Sequence, residues 1–149
     1  MGSRLFDEIR EQRGLAYSVS ASAWSLGDTT QLQLSAGLDS TKCVEAYGRM
    51  REIVGELHAD GPTAEEVDRA RAYAAGRLVL AFENSGAVAR HAASQAIVHD
   101  EDLDPDLAIA ALDAVTLDDV REIAAGIDPQ QAAVACVGPH AASDFDWSA

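Results

Sequence analysis

Residues 1–19 change from a helical pattern of apolar positions to an alternating one. Leu5, Phe6 and Ile9 form an apolar stripe at helical spacing, and acidic and amide side chains face away from it. Gly14 follows, and glycine commonly comes just after a helix because it tolerates a left-handed backbone. From Leu15 onward the apolar positions recur at every second residue, which is typical of a half-buried strand. The pattern predicts a short helix, a stop at Gly14 and a strand.

This strand and the next one are predicted to form an antiparallel hairpin. Tyr17 and Val19 share the face of Leu15 in the alternation, and small or polar residues occupy the other face. Residues 27–28, Gly-Asp, are a turn signal, and residues 32–38 alternate again between apolar and small or polar side chains. Two alternating runs joined by such a short turn favour a hairpin.

Further helices are predicted from apolar residues at three- and four-residue steps and from residues that cap or end helices. Their starts are predicted at Asp39 or Ser40, at the capping box of residues 63–66, at Asn84 or Ser85, at Asp104, and at residues 116–119. Gly61 and Gly126 are the expected stops of the first and the last of them. Residues 132–137 are largely apolar and predict a final strand.

The order of elements indicates an α+β fold, in which helices pack on one face of a mostly antiparallel sheet. We expect a single domain over residues 1–149, with residues 140–149 as a loosely ordered tail. Three strands are few for so many helices, so the pattern indicates that part of the sheet is missing or is supplied by a partner. Unprotected strand edges and apolar helix faces invite association, which predicts a homo-oligomer.

The charge excludes some classes of partner. The chain has 25 acidic and 11 basic residues and a net charge of −14, whereas nucleic acids and anionic membranes attract proteins with a surplus of Lys and Arg. No apolar run approaches the roughly 20 residues of a membrane span, and no signal segment opens the chain. We therefore expect no nucleic acid partner, no membrane partner and a cytoplasmic location.

The cysteines and histidines give no familiar metal-binding spacing. Cys43 and Cys136 lie far apart in the sequence and favour buried reduced thiols over a disulfide or a zinc site. The histidines are His58, His91, His99 and His140, and the closest pair, His91 and His99, has no Glu between its members. We predict no metal ligand among them.

The opening run MGSRLFDEIREQRGLAYSV closely resembles the start of the second half of a C-terminal domain in the pitrilysin/insulinase family of zinc peptidases, which includes the mitochondrial processing peptidases. Residues 34–85 resemble the family's strand and the two helices after it, and residues 112–139 resemble its closing helix and last strand. The resemblance implies a metallohydrolase-like half of a processing-peptidase fold. The family's opening strands and glycine-rich lead are not matched, which predicts an N-terminally truncated domain.

In this family, two homologous halves close around an extended peptide, and the first half holds zinc through an H-x-x-E-H helix and a downstream Glu. The sequence contains no such motif. The resemblance therefore implies the non-catalytic C-terminal domain, with no cofactor and no catalytic residue of its own. Its implied partners are a peptide substrate and the N-terminal catalytic half of the same enzyme, where the zinc lies. We expect the chain to be inactive alone.

In active members of the family, this half contributes an Arg and a Tyr on either side of the same R-G-L-A-Y turn, and both reach the substrate near the scissile bond. The matching residues are Arg10 and Tyr17. Both are hydrogen-bond donors suited to a carbonyl oxygen that gains negative charge. The alternative is that Arg10 is a solvated helix residue and Tyr17 packs in the strand. Arg13, closer to the turn, is an alternative to Arg10.

The resemblance favours a role in a zinc metalloendopeptidase, in which this chain helps to enclose and position the peptide for a zinc site in the N-terminal half. The alternative function is a non-catalytic structural or assembly subunit that supports a separate catalytic chain. A third interpretation, an unrelated small α+β binding domain, requires the opening motif to be a coincidence.

Overall fold

The computed structural model describes residues 3–26 and 29–145, and the predicted turn at residues 27–28 lies outside them. The chain divides into two compact units. One unit is formed by Met1–Gly61 together with Ile123–Ala149, and the other by Pro62–Glu122.

The first unit opens with a π-helix at Phe6–Gln12, followed by strand β1 (Ala16–Leu26) and strand β2 (Thr29–Leu38). The two strands pair antiparallel, from Ala16 opposite Leu38 to Leu26 opposite Thr29. A 3-10 turn at Ser40–Lys42 then leads into helix α1 (Cys43–Asp60). Two more 3-10 turns, at Pro129–Gln131 and Ala142–Asp144, come later in this unit.

The second unit is helical. It contains α2 (Ala64–Phe82), α3 (Ser85–Ser94) with a π-helical continuation at Gln95–His99, and α4 (Pro105–Ala114). Helix α5 (Leu117–Ala125) begins in this unit and ends in the first. Helices together with an antiparallel hairpin confirm the predicted α+β class. None of the helices in the described ranges is long and apolar enough to cross a membrane.

The predicted helix starts are confirmed by side-chain hydrogen bonds. Thr63 and Glu66 form a reciprocal capping box, with the Glu66 amide donating to Thr63 Oγ1 over 3.2 Å and the Thr63 amide donating to Glu66 Oε2 over 2.8 Å. Thr116 and Asp119 make the same exchange with a shorter acid. These side chains accept hydrogen bonds from backbone amides at the helix starts, which have no acceptor within the helix. Caps at the other predicted starts come from Asp39, Asn84 and Asp104.

The predicted faces of β1 are wrong at Tyr17, because a bulge interrupts the strand there. The register shifts between Ala16 and Ser18, which leaves Tyr17 as an extra residue opposite β2. A bulge inserts one residue and thereby turns a side chain away from the face that simple alternation gives it. Tyr17 is 87% exposed, whereas Leu15 is buried and Val19 packs against the core.

The predicted final strand is also wrong for the described structure, in which residues 132–137 form neither strand nor helix. A strand forms only where a neighbouring strand accepts and donates its backbone hydrogen bonds, and the described part of the sheet contains β1 and β2 alone. Val137, expected in that strand, is fully exposed. The apolar run of residues 132–137 thus has the composition of a strand, but its sequence does not specify a strand to pair with.

The core of the first unit lies where the π-helix and the start of β1 meet α1. Ile9 is fully buried, and the other buried members of the cluster are Leu5, Leu15, Ala16, Ala46 and Ile53. Burying one side chain of this size contributes about 1.5–3 kcal/mol relative to leaving it exposed. Leu5 and Ile9 of the predicted apolar stripe therefore dock on α1, whereas Phe6 is half-buried outside the cluster.

A second buried contact involves the C-terminal end of the described chain. Phe145 is buried, and its ring meets Tyr47 edge-on with the centroids 5.5 Å apart. The ring of His140 lies 5.6 Å from the Phe145 ring. Phe145 belongs to residues 140–149, where the sequence predicts a loose tail, and it ties the described part of that segment to α1.

An ion-pair cluster holds the π-helix against α1. Arg49 of α1 donates from Nε to Glu8 Oε2 over 2.6 Å, and from Nη1 to Glu52 Oε2 and Glu56 Oε1 over 2.8 and 2.9 Å. The Arg49 and Glu8 side chains are only 16% and 21% exposed. Hydrogen bonds from Glu52, Glu8 and Glu56 hold the pKa of Arg49 above its ordinary value, so the cation is the centre of the cluster.

Replacing this cation destabilises the first unit. Arg49→Met keeps the aliphatic stem but leaves the carboxylates of Glu8, Glu52 and Glu56 together without a cation. We expect the free energy of unfolding to fall by about 1–3 kcal/mol, below the range for a fully buried pair because Glu52 and Glu56 are largely exposed. Urea denaturation followed by circular dichroism measures the change.

The matched control is Arg69→Met. Arg69 pairs with Glu65 across 3.6 Å on the surface of α2, and such exposed pairs contribute little. This variant should lie within about 0.5 kcal/mol of the parent chain. Equal losses in both variants would show that the Arg49 cluster is no more than another surface ion pair.

Candidate functional site

Arg10 and Tyr17 lie on opposite sides of a tight chain reversal. The amide of Gly14 donates to the carbonyl of Arg10 over 3.2 Å, and the amide of Leu15 donates to the carbonyl of Ile9 over 2.8 Å. Gly14 has φ of 58°, a left-handed conformation that costs a residue with a side chain more than it costs glycine. The predicted stop at Gly14 is confirmed, and it sends the chain directly into β1.

Each of the two candidate residues follows a buried anchor. Ile9, directly before Arg10, is fully buried, and Leu15 and Ala16, directly before Tyr17, are 5% and 7% exposed. A side chain locked in a packed core fixes the backbone beside it, because interiors leave little free volume. The buried neighbours therefore fix the backbone at Arg10 and Tyr17, while the side chains of these two residues are exposed to solvent.

The start of α1 supports the same turn. Lys42, just before α1, donates from Nζ to the carbonyl of Gly14 over 2.8 Å. Nη1 of Arg13 lies 3.9 Å from Oε1 of Glu45 in the first turn of α1. Arg13, the alternative to Arg10, is thus engaged in an ion pair that ties the turn to α1.

Among the residues that the structure describes, the side chain of Arg10 makes only weak contacts. It is 45% exposed, with Nε 3.9 Å from Glu11 Oε1 and the guanidinium carbon 5.1 Å from the centroid of the Phe6 ring. Exposed contacts of both kinds are worth about 1 kcal/mol or less. A ligand that offers a better acceptor can therefore draw the guanidinium away at little cost.

The side chain of Tyr17 is presented by the bulge of β1. It is 87% exposed, and its hydroxyl has no hydrogen-bond partner within residues 3–26 and 29–145. In this chain, therefore, Tyr17 is not a packing residue of the strand. Gly37 of β2 lies close beside the bulge, because a Cβ at that position would meet Ser18 Oγ at 2.8 Å. A side chain at Gly37 would therefore require the Ser18 hydroxyl to turn away.

A second group of reactive side chains lies at the start of α1. The Sγ atoms of Cys43 and Cys136 are 3.7 Å apart, and one ligand atom from each of Cys43, Cys136 and His140 lies within 4.8 Å of the others. Burial and the hydrogen bond with Cys136 raise the pKa of Cys43. Nδ1 of His140 lies 3.6 Å from Oδ2 of Asp144.

Sequence reasoning missed this cluster because it compared cysteines with cysteines and histidines with histidines. The local signal is the C-x-x-x-H spacing of Cys136 and His140, which falls within the range that zinc ligands commonly use. Cys43 joins them only through the fold. His58 and His91 are not members of the cluster, and the side chain of His99 lies outside the described residues.

The chain is similar to one family model and to several named proteins. Residues 1–73 match the family model described as the Peptidase M16 inactive domain. An uncharacterized zinc protease of Streptomyces coelicolor is 30% identical over 139 residues, which are 93% of this chain and 30% of that protein. The uncharacterized zinc protease YmxG of Bacillus subtilis is 27% identical over 93% of this chain and 34% of its own length. The chain thus spans about a third of the length of these relatives.

A solved structure shares the fold. The crystal structure of a conserved protein from Enterococcus faecalis V583 aligns with a TM-score of 0.68 and 22% identity, over 82% of this chain and 28% of that one. The family resemblance indicated by the opening motif is confirmed by the family model over residues 1–73 and by the similarity to the zinc proteases. Residues 1–73 match the inactive domain of the Peptidase M16 family, and most of the chain is similar to relatives that are named zinc proteases.

Proposed function

We propose that this chain is part of the non-catalytic C-terminal domain of a zinc metalloendopeptidase, where it helps to enclose a peptide and to position it for the zinc site of the N-terminal half. The match to an inactive domain supports the non-catalytic role, and the names of the relatives support the zinc protease. The observation that carries the contact role is the exposed Tyr17 on a bulge backed by buried residues, with the exposed Arg10 across the same turn.

In this proposal, Arg10 and Tyr17 act on the carbonyl of the scissile peptide bond. A guanidinium and a phenol held on a rigid support can donate hydrogen bonds to the carbonyl oxygen, and those bonds strengthen as the oxygen gains negative charge. Water activation belongs to the zinc-bearing half, because the 149 residues contain no H-x-x-E-H motif. The chain alone should therefore bind peptide weakly and cleave none.

Tyr17→Phe in the complete two-half peptidase tests the contact role. The change keeps the ring and deletes the hydroxyl, which has no hydrogen-bond partner among the described residues. Removing one donor to a developing oxyanion typically lowers kcat by about 10²–10³, and we expect a loss of at least about tenfold. Steady-state kinetics gives kcat, and the melting temperature should stay nearly unchanged.

The matched control is Tyr73→Phe on the surface of α2, where the tyrosine is 61% exposed. It should leave kcat within about twofold. Arg10→Lys should also lower kcat, because an ammonium does not reproduce the planar guanidinium fork, and Arg69→Lys is its control. Unchanged turnover in both Tyr17→Phe and Arg10→Lys would contradict the contact role and favour a structural or assembly subunit.

We also propose that the isolated chain pairs with a second copy through the open edges of β1 and β2. The described sheet has two strands, so each strand has one edge without a neighbouring strand, and a two-stranded hairpin is marginal by itself. Light scattering at high micromolar concentration should give a mass above the 15.7 kDa of one chain. A mass of 15.7 kDa under these conditions would contradict pairing.

A further inference from the structure

The cluster formed by Cys43, Cys136 and His140 has the chemistry and the size of a metal site. Two thiols and an imidazole are the ligands that zinc and other thiophilic divalent ions prefer. Residues far apart in the sequence supply them: Cys43 begins α1, whereas Cys136 and His140 belong to the C-terminal segment. All three lie in the same compact unit of the chain.

The distances fit a tetrahedral ion. Two sulfurs that each lie about 2.3 Å from zinc are about 3.8 Å apart at the tetrahedral angle, and a sulfur and an imidazole nitrogen are about 3.6 Å apart. The observed sulfur separation is 3.7 Å, and no ligand atom of the cluster is more than 4.8 Å from another. The two sulfurs already have the required spacing, and a movement of about 1 Å by the imidazole completes the set.

The surroundings of His140 are those of a held ligand. Its side chain is 14% exposed, with Nδ1 3.6 Å from the Asp144 carboxylate and the ring packed against Phe145. The amide of Ala141 donates to the same Asp144 oxygen over 2.9 Å, which fixes the carboxylate. A carboxylate beside one nitrogen of a metal-binding histidine orients the ring and leaves the other nitrogen for the ion.

We propose that Cys43, Cys136 and His140 bind one zinc ion or a similar thiophilic divalent ion, which fastens the C-terminal segment to the start of α1. Cys136 is exposed, so the fourth coordination position is open to water or to a ligand from another chain. The site is separate from the zinc of the catalytic half. It also differs from the expectation of no metal ligand in this chain, which rested on sequence spacing alone.

A bound ion would restrain the segment that contains Cys136. Residues 132–137 have no strand partner in the described sheet, so their backbone is not held by a ladder of hydrogen bonds. A bound ion would join Cys136 to α1 and restrain this segment. Because an ion that binds only the folded state stabilises that state by mass action, zinc should raise the melting temperature of the reduced chain.

The test uses the purified, reduced chain and two metals. Metal analysis after dialysis against zinc should give about one ion per chain, and cobalt should produce the intense near-ultraviolet absorption of thiolate ligation together with tetrahedral visible bands. Cys136→Ser, at an exposed position, removes one of the two thiolates, so it should lower the thiolate absorption by at least half and abolish the zinc-dependent rise in melting temperature. His140→Gln should keep the thiolate absorption but weaken zinc binding at least tenfold.

The control is His91→Gln, which changes a histidine outside the cluster and should bind both metals like the parent chain. Circular dichroism identifies any variant that fails to fold, and the other variant then decides the result. Zinc binding that is as tight in Cys136→Ser as in the parent chain, or a reduced parent chain that binds no zinc, would overturn the proposal. The proposal would also be overturned if the purified chain contains a Cys43–Cys136 disulfide and takes up no metal once that disulfide has been reduced.

Discussion

The burial of Ile9 against α1 is the contact on which the arrangement of the first unit depends. Ile9 is fully buried in a cluster that joins the π-helix, the first residues of β1 and α1. Losing such a side chain to alanine typically costs about 2–5 kcal/mol, whereas we expect the loss of the Arg49 cation to cost about 1–3 kcal/mol. Packing therefore decides where the π-helix lies, and the Arg49 cluster and the Lys42 hydrogen bond refine its orientation.

The position of Ile9 also accounts for the exposure of its neighbours. On a helix, the residues flanking a buried position point elsewhere, so Glu8 can meet Arg49 while Arg10 faces solvent. After the reversal at Gly14, the bulge turns Tyr17 outward as well. Arg10 and Tyr17 thus extend from backbone that is fixed by the packing of Ile9 and by the ion pair between Glu8 and Arg49. Rigid support of this kind lets a donor stabilise a transition state without first paying for reorganisation.

Sequence patterns predicted the local structure well and the long-range structure poorly. The capping boxes and the stops at Gly14 and Gly61 depend on a few neighbouring residues, and all of them are present in the structure. The final strand failed because strand formation depends on a partner that the run of residues 132–137 does not specify. The prediction for the face of Tyr17 was wrong because a bulge shifts the alternation by one residue, and the hydrophobic pattern does not reveal a bulge.

The two groups of functional interest differ in the same way. Arg10 and Tyr17 were identified through the motif around Gly14, which is contiguous in the sequence. The cluster of Cys43, Cys136 and His140 combines a local C-x-x-x-H pair with a distant cysteine, and only the fold brings them together. A short-range spacing rule can find the pair, but no rule applied to the sequence alone supplies the third ligand.

The most direct measurement for the central claim is a structure of the complete peptidase that holds an uncleaved peptide, obtained with the general base of the zinc-bearing half replaced. The account predicts that Tyr17 Oη and a guanidinium nitrogen of Arg10 lie about 2.7–3.1 Å from the scissile carbonyl oxygen or from the place it occupies as an oxyanion. The account would be contradicted by a bound peptide whose scissile carbonyl neither side chain faces. It would also be contradicted if another part of the enzyme covers Arg10 and Tyr17.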